Sequence, residues 1–566
     1  MPRRTALLFL LTLAAGALTL GIAMRGSSRF SSDSFHYMLL ADALAHGRGF
    51  VSGGSQHPDV TRAPLLPLLM APLVWILGSP VRAGLAVVTL AAAALAIPLS
   101  FLGRGLFGAR AAYAALPLVG MSCVLGVADR VLPTPLHLLG FLAVPALLVY
   151  ALRRGEPRSF LWVGLACGLT ALARPEGLPL LAVPLAWTLL HWSPFLEGEA
   201  PPMAARARLA AAGWIAAGAL VCYGPYVAWT SARLHRFAPM PSVEYVNDTR
   251  YVTDYFGLRE MPGPPIPWEE RAMVLLTEDG RERVLERYFT TRTMPPVRAT
   301  ETRPELATAG PEHPPLLRDR VQRLLNIALH NLRLVPGRLR AAHLLPPVPI
   351  LLGGVGLLAL LTRRGGWRPL LLLGALFAFG FLPVLTNLED RFLYPPFAAG
   401  LALAAHGWGE VDRRAASRLP ALLRVAFHGL LLWSIAAWGL THRMDETPKL
   451  DLEQAQRALA QRGVRELPPG PILAVRPHFP FWAGRPFAPL PIVDPDGALA
   501  FAGVRNARAL VLQVPYDIKI RPALAALTAE VPPPGFTRID RQPIGDGGTL
   551  LLFRLGSSSS KDGRAP

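Results

Sequence analysis

Apolar residues in this chain come in long, nearly uncharged runs rather than at the spacing of amphipathic helices or half-buried strands. The first extends from about Thr5 to Met24, behind Met1-Pro-Arg-Arg4. Others fall near residues 81–102, 111–128, 132–151, 159–173, 177–192, 209–229, 345–362, 367–386, 391–408 and 420–440. A bilayer core is crossed by roughly 20 apolar residues. Several runs are short or broken by Pro, which membrane helices tolerate where neighbours satisfy the freed carbonyls. The pattern predicts a multi-pass α-helical membrane protein with about eleven transmembrane helices.

The links between runs alternate in character. Arg104/Arg110, Arg153/Arg154/Arg158, Arg206/Arg208, Arg363/Arg364/Arg368 and Arg413/Arg414/Arg418 form basic clusters, and the intervening links are poor in clustered Arg. Cytoplasmic loops carry the excess of basic residues. Placing every basic link inside puts the N-terminus in the cytoplasm and the C-terminus outside. The first run is longer than a signal-peptide core, which predicts an uncleaved first helix. The segment Pro64 to Leu77 is apolar but contains Pro64, Pro67 and Pro72. Counting it as a span would place the arginine clusters outside, so it reads as a re-entrant or interfacial segment.

This topology divides the chain into a transmembrane part, 1–444, with outer loops at 25–63 and 230–344, a soluble outer α/β domain at 445–556, and a disordered tail at 557–566. Long loops are usually functional. Within the second loop the pattern predicts amphipathic helices near 267–289 (Trp268 to Phe289) and 316–344, the latter with Leu317, Val321, Leu324, Ile327, Leu332 and Val335 on one side. A basic amphipathic helix lies in the headgroup plane; an ordinary helix packed on the protein has the same pattern. In the tail domain, Asp451 to Arg462 reads as a helix, and Pro471–Val475, Ala509–Val514 and Thr549–Phe553 read as buried strands.

Composition sharpens the class. Of 566 residues, 52% are hydrophobic and only 17% charged, against roughly a quarter charged in soluble domains. The net charge of +19 is almost all Arg, lysine occurring only at 449, 519 and 561. These arginines sit between apolar runs and not on a basic face with interleaved aromatics, which excludes a nucleic-acid binder. Cys123, Cys167 and Cys222 all lie inside apolar runs and read as small core residues. No HExxH, CxxC pair, GxSxG, Walker A or fitting GxGxxG is present, so a protein metal cage or a nucleotide fold has no support.

Chemistry-bearing residues collect on the outer side. The first loop holds Ser31-Ser-Asp-Ser-Phe-His-Tyr37, followed by Met38 to Gly49. Phe35, Met38, Leu39 and Leu44 suggest a short surface helix on the membrane with Asp33 at its start. Asp is a favoured N-cap, and a helix start can equally fix a catalytic carboxylate. Arg62 precedes Ala-Pro-Leu-Leu-Pro67; Arg174 lies in Ala173-Arg-Pro-Glu-Gly177; Arg391 lies in Arg391-Phe-Leu-Tyr-Pro-Pro396; the third link holds Asp129-Arg130. Each can be a snorkelling arginine. Several at one membrane depth point instead to an anion site, because guanidinium forks match phosphate oxygens.

Asp33-Ser-Phe-His-Tyr37 with the Ala43-Leu-Ala-His-Gly-Arg-Gly49 run, Arg62 to Pro67, Ala173 to Gly177 and Arg391 to Pro396, in this order, resemble the GT-C superfamily. These are integral membrane glycosyltransferases that use polyprenyl-phosphate sugars. Within the superfamily the sequence is most similar to protein O-mannosyltransferases and bacterial aminoarabinose transferases of lipid A. The resemblance implies that Asp33 is the catalytic acidic residue of the first outer loop, acting as a base; members often have Asp-Glu where this chain has Asp33-Ser34. Asp129 loosely matches a second acidic position. His36, Tyr37, Arg130 and Glu176 belong to the same motifs and are further site candidates.

The expected reaction is inverting transfer of a sugar from a polyprenyl-phosphate donor to a hydroxyl of a glycan, lipid or protein, on the outer face of a bacterial inner membrane. One carboxylate within hydrogen-bond reach can take the hydroxyl proton. The leaving lipid phosphate needs positive charge, which assigns Arg174 and Arg391 to it, with Arg62 and Tyr394 as weaker candidates. No cofactor is firmly implied, although a divalent cation can enter with the donor. The competing expectation is a transporter or flippase of lipid-linked saccharides, for which mid-membrane ionisable residues and paired halves are the usual pattern.

Overall fold

The computed structural model describes residues 30–51, 59, 62–112, 131–196, 201–234, 237–239, 272–276, 282–287, 347–386, 393–418, 448–490, 495–504, 506–520, 522–545 and 547–556, with isolated positions near 329–335 and 420–430. The runs expected at 5–24, 111–128 and 420–440 fall wholly or mostly outside these residues, as does most of the helix expected at 316–344.

Helix α1 is Ser32–Ala45, α2 Leu65–Leu77, α3 Pro80–Ala94, α4 Ala96–Phe107, α5 Thr134–Arg154, α6 Leu161–Ala173, α7 Ala182–Leu190 and α8 Ala205–Leu234. After a β1–β2 hairpin (Ala272–Leu276, Glu282–Arg287) come α9 Pro347–Leu361, α10 Trp367–Thr386 and α11 Tyr394–Arg418. Among the described residues three helical stretches are long and apolar enough to cross a membrane: Pro80–Phe107 (α3 and α4 together), Thr134–Arg154 and Ala205–Arg233. Within segment 64–77, Leu65–Leu77 form a helix of 13 residues, about 20 Å long and shorter than a bilayer core. It leaves Trp75 and Ile76 largely exposed while Leu66 and Met70 are fully buried.

The bundle is held by close helix contacts. On α6, a Cβ at Gly164 would lie 2.1 Å from the Ile215 carbonyl oxygen of α8, and one at Gly218 would lie 2.5 Å from the Leu161 carbonyl. Small residues at such crossings let backbones approach where lipid supplies no hydrophobic drive. The shared core includes Leu99, Leu102, Leu148, Phe160, Val163 and Ile215.

The segment expected as an amphipathic helix at 267–289 contains the β1–β2 hairpin instead, antiparallel with Ala272 paired to Arg287 and Leu276 to Glu282. The sequence explains the difference. Asp279-Gly280 separates two short runs carrying Val274 and Val284, and this dipeptide between β-forming residues is a hairpin signal.

The C-terminal part is α/β. It contains α12 Pro448–Gly463, β3 Ile472–Ala474, α13 His478–Trp482, β4 Phe487–Pro489, α14 Pro495–Val504, β5 Ala509–Val514, α15 Tyr516–Ile520, β6 Phe536–Pro543 and β7 Thr549–Leu555. The sheet order is β4-β3-β5-β7-β6, parallel over β4-β3-β5 and antiparallel over β5-β7-β6. Apolar side chains fill both faces: Leu473, Leu510, Leu512 and Phe553 on one, Ile472, Val511, Leu552 and Leu459 on the other. Both strands beyond the expected three, β4 and β6, are sheet edges. The first has three residues, and the second is mostly polar, as edges tend to be.

The sheet domain touches the membrane bundle through α13. The Phe35 ring of α1 lies 4.4 Å from His478, 5.0 Å from Phe481 and 5.7 Å from Trp482. Arg457 of α12 caps the other face of this cluster, 3.9 Å over the Trp482 ring. The expected surface helix of the first loop is therefore an interior one. Phe35 is 1% exposed and Met38, Leu40 and Ala41 are fully buried, because α2, α3 and α13 each take one of its faces.

Candidate active site

Helix α1 starts with a capping box. The Ser31 hydroxyl accepts the N–H of Ser34 at 3.3 Å, and the Ser34 hydroxyl accepts the N–H of Ser31 at 3.2 Å. The cap is Ser31 and not Asp33. Asp33 stands two residues after the cap, in the first turn, where the positive helix end favours a carboxylate.

Arg62, just before α2, brings two carboxylates together. Its Nη2 lies 3.6 Å from Asp33 Oδ1, and its Nη1 donates to Asp59 Oδ2 at 3.1 Å. Burial works against the Arg62 charge, but Asp59 first, then Asp33 and Tyr37, together with the Asp59 hydrogen bond, raise its pKa. His36 follows on α1. Burial, and next to it the Arg62 charge, pushes its pKa down to about 3 against the opposing pull of Asp59 and Asp33. His36 is therefore a neutral imidazole at physiological pH. On the opposite wall, Tyr226 of α8 is within electrostatic reach of Asp59 and Tyr37.

A second charged group stands at the end of α6. Arg174 leaves the helix in an extended conformation (φ −156°, ψ 131°) and is 8% exposed. Its Nη2 donates to Glu176 Oε1 at 3.2 Å. His137 of α5 is within electrostatic reach of both. Glu176 Oε2 and His137 Nδ1 are buried without a hydrogen bond. Tyr223 lies near Glu176, and its ring is 5.7 Å from that of Tyr226. One face of α8 thus runs from the Arg174 group to the Asp33 group.

The sequence-predicted residues divide accordingly. Asp33, His36, Tyr37 and Arg62 come together, and Arg174 pairs with Glu176. Tyr394 opens α11 and packs on the bundle core. Asp129, Arg130 and Arg391 lie outside the described residues. Asp59, His137, Tyr223, Tyr226 and His478 were not anticipated. Only Asp59 left a signal, its three-residue spacing from Arg62.

Among the described residues the carboxylates at this site are Asp33 and Asp59. Both carboxylates point to Arg62, whose own charge takes the place between them. Among the described residues no three His, Cys, Asp or Glu side chains converge on a metal position.

No family model matches the chain, and no curated protein matches it. Solved structures do. Over 98% of this chain and 99% of the other, it is similar to ArnT from Cupriavidus metallidurans bound to undecaprenyl phosphate, with TM-score 0.55 and 15% identity. The fold is GT-C. A second solved structure to which the chain is similar is the Archaeoglobus fulgidus oligosaccharyltransferase in complex with Zn and sulfate. That match has TM-score 0.50 and 12% identity, covering 97% of this chain and 73% of the other. In this fold the Asp33 group belongs to the first described helix, beside the sheet domain.

Proposed function

We propose that this protein is an inverting glycosyltransferase that moves a sugar from a polyprenyl-phosphate donor to a hydroxyl acceptor. The observation that carries the reading is the Asp33 carboxylate, set in the first turn of a buried helix and ion-paired at 3.6 Å to Arg62. The structural similarity to ArnT bound to undecaprenyl phosphate supports the donor class. In the proposed reaction the acceptor oxygen gives its proton to Asp33 as it bonds to the anomeric carbon. The bond from that carbon to the phosphate oxygen breaks on the opposite face, and the electron pair leaves with the lipid phosphate. No second carboxylate is required, because a phosphate departs as an anion without protonation.

In this reading Arg174 receives the phosphate together with Arg391. The guanidinium fork offers five N–H donors, so a phosphate oxygen can share it with Glu176. Tyr394 is a further phosphate candidate. Arg62 is engaged by two carboxylates, which suits it to holding Asp33 better than to receiving another anion. The proposed setting is the outer face of a bacterial inner membrane, with the sheet domain extracytoplasmic and the acceptor a glycan, lipid or protein hydroxyl.

Asp33→Asn tests the reading. The expected result is undiminished protein in the membrane, retained binding of undecaprenyl phosphate, lost sugar transfer and accumulation of one polyprenyl-phosphate sugar. Full transfer by this variant would remove the proposed base.

A further inference from the structure

Arg62 stands between two carboxylates but holds them differently. Its contact with Asp59 is a hydrogen bond of 3.1 Å. Its contact with Asp33, at 3.6 Å, is an ion pair beyond hydrogen-bond length. Asp59 is also the more enclosed of the two, its side chain 5% exposed against 22% for Asp33. The Asp59 backbone is fixed as well. Its N–H donates to the Phe50 carbonyl at 2.8 Å, and the Phe50 ring stands edge-on to Trp229 of α8 at 5.8 Å.

We propose that Asp59 is a positioning residue for the base: it anchors Arg62 so that the guanidinium orients Asp33 without closing on it. The inference rests on the reading of Asp33 given above. A carboxylate gripped at close range by Arg is stabilised in its charged form and becomes a poorer proton acceptor. One kept at ion-pair distance is oriented yet retains more of its basicity. The arrangement carries this asymmetry, because Arg62 gives the deeper carboxylate a hydrogen bond and the shallower one an ion pair beyond hydrogen-bond length.

Among the described residues, charged and titratable groups face Asp33 and Arg62 from several elements. They are His36 and Tyr37 on α1, Asp59 in the loop, Tyr226 on α8, and His478 with Arg476 from the sheet domain beside His36. His36 is neutral, so among the described residues one guanidinium, that of Arg62, serves both the Asp33 and Asp59 carboxylates. Removing the Asp59 charge leaves Arg62 with Asp33 alone and lets it close.

The test compares full-length wild type with Asp59→Asn, Asp59→Glu and Asp33→Asn. Donor and acceptor are supplied by membranes from cells lacking the gene. Undecaprenyl phosphate is the binding probe. For Asp59→Asn, kcat is expected to fall at least about tenfold. The acid limb of the pH–rate profile is expected to move about one unit lower. Undecaprenyl phosphate affinity stays within about twofold, because this role leaves the phosphate site alone. Asp59→Glu keeps the charge and restores most of the rate and the profile. If the Asn variant does not accumulate, Asp59→Ser is read in its place with the same shift expected. An unchanged rate, or a lower rate with an unmoved acid limb, overturns the inference. Activity in Asp33→Asn instead overturns the reading of the base, so the two failures are distinct.

Discussion

The Phe35 ring and the His478 imidazole lie 4.4 Å apart and tilted by 31°, joining the first loop to the C-terminal sheet domain. Phe35 is 1% exposed and also meets Phe481 and Trp482. The backbone of Phe30, just before α1, adds a hydrogen bond to Glu453 of α12. This aromatic plug fixes α1, and with it Asp33, against a domain from the other end of the chain. Phe35→Ala is expected to cost about 3–5 kcal/mol, the usual range for emptying a buried Phe site. Limited proteolysis within the sheet domain, 448–556, should accelerate in this variant before the transmembrane helices unfold. An unaltered cleavage rate would show that the plug does not hold the domain.

Two imidazoles at this junction make its stability depend on pH. Burial first, then Arg62, holds His36 near a pKa of about 3. Burial first, then Arg476 and His36, pushes His478 down to about 3. In the unfolded chain each takes a proton near 6.5. Between those values the unfolded chain binds more protons, so stability is complete above about 6.5 and falls as the pH drops toward 3. The loss is at most about 1.4 kcal/mol per pH unit for each group. The thermal midpoint in detergent should therefore fall between pH 7 and pH 5, and His478→Gln should flatten that slope. A slope unchanged by the substitution would exclude His478 as a source.

Much of this architecture is legible in the sequence where a local pattern decides it. The spans Thr134–Arg154 and Ala205–Arg233, and strands β3, β5 and β7, follow from uninterrupted apolar runs. What was hidden depends on partners distant in the chain. The face of α1 carrying Phe35 looks like a membrane-surface stripe until His478 and Phe481 arrive to cover it. Asp59 directly follows the polar stretch Ser52-Gly-Gly-Ser-Gln-His-Pro58, which has no periodicity to flag a buried acid. The cap of α1 could be read as Asp33 or Ser31 from composition alone, since both residue types cap well. Only the hydrogen bond from the Ser34 N–H to the Ser31 hydroxyl decides it.

The α6–α8 crossing sets where Arg174 stands, which gives a prediction independent of any assay of sugar transfer. A Cβ on Gly164 would come within 2.1 Å of the Ile215 carbonyl oxygen and 2.9 Å of its Cα. The obstacle is backbone, so rotamer changes cannot relieve it, and the helices must part. Gly164→Val should consequently cost at least about 3 kcal/mol, at the upper end of overpacking penalties. It should also displace the α6 C-terminus that carries Arg174 and Glu176. Gly213, on α8 at the same bundle, has no atom within 4 Å of its Cβ position. Gly213→Ala should therefore be neutral or stabilising by up to about 1 kcal/mol through helix propensity. Thermal unfolding of the two purified variants in one detergent separates these outcomes. Equal midpoints would mean that α6 and α8 do not cross at Gly164.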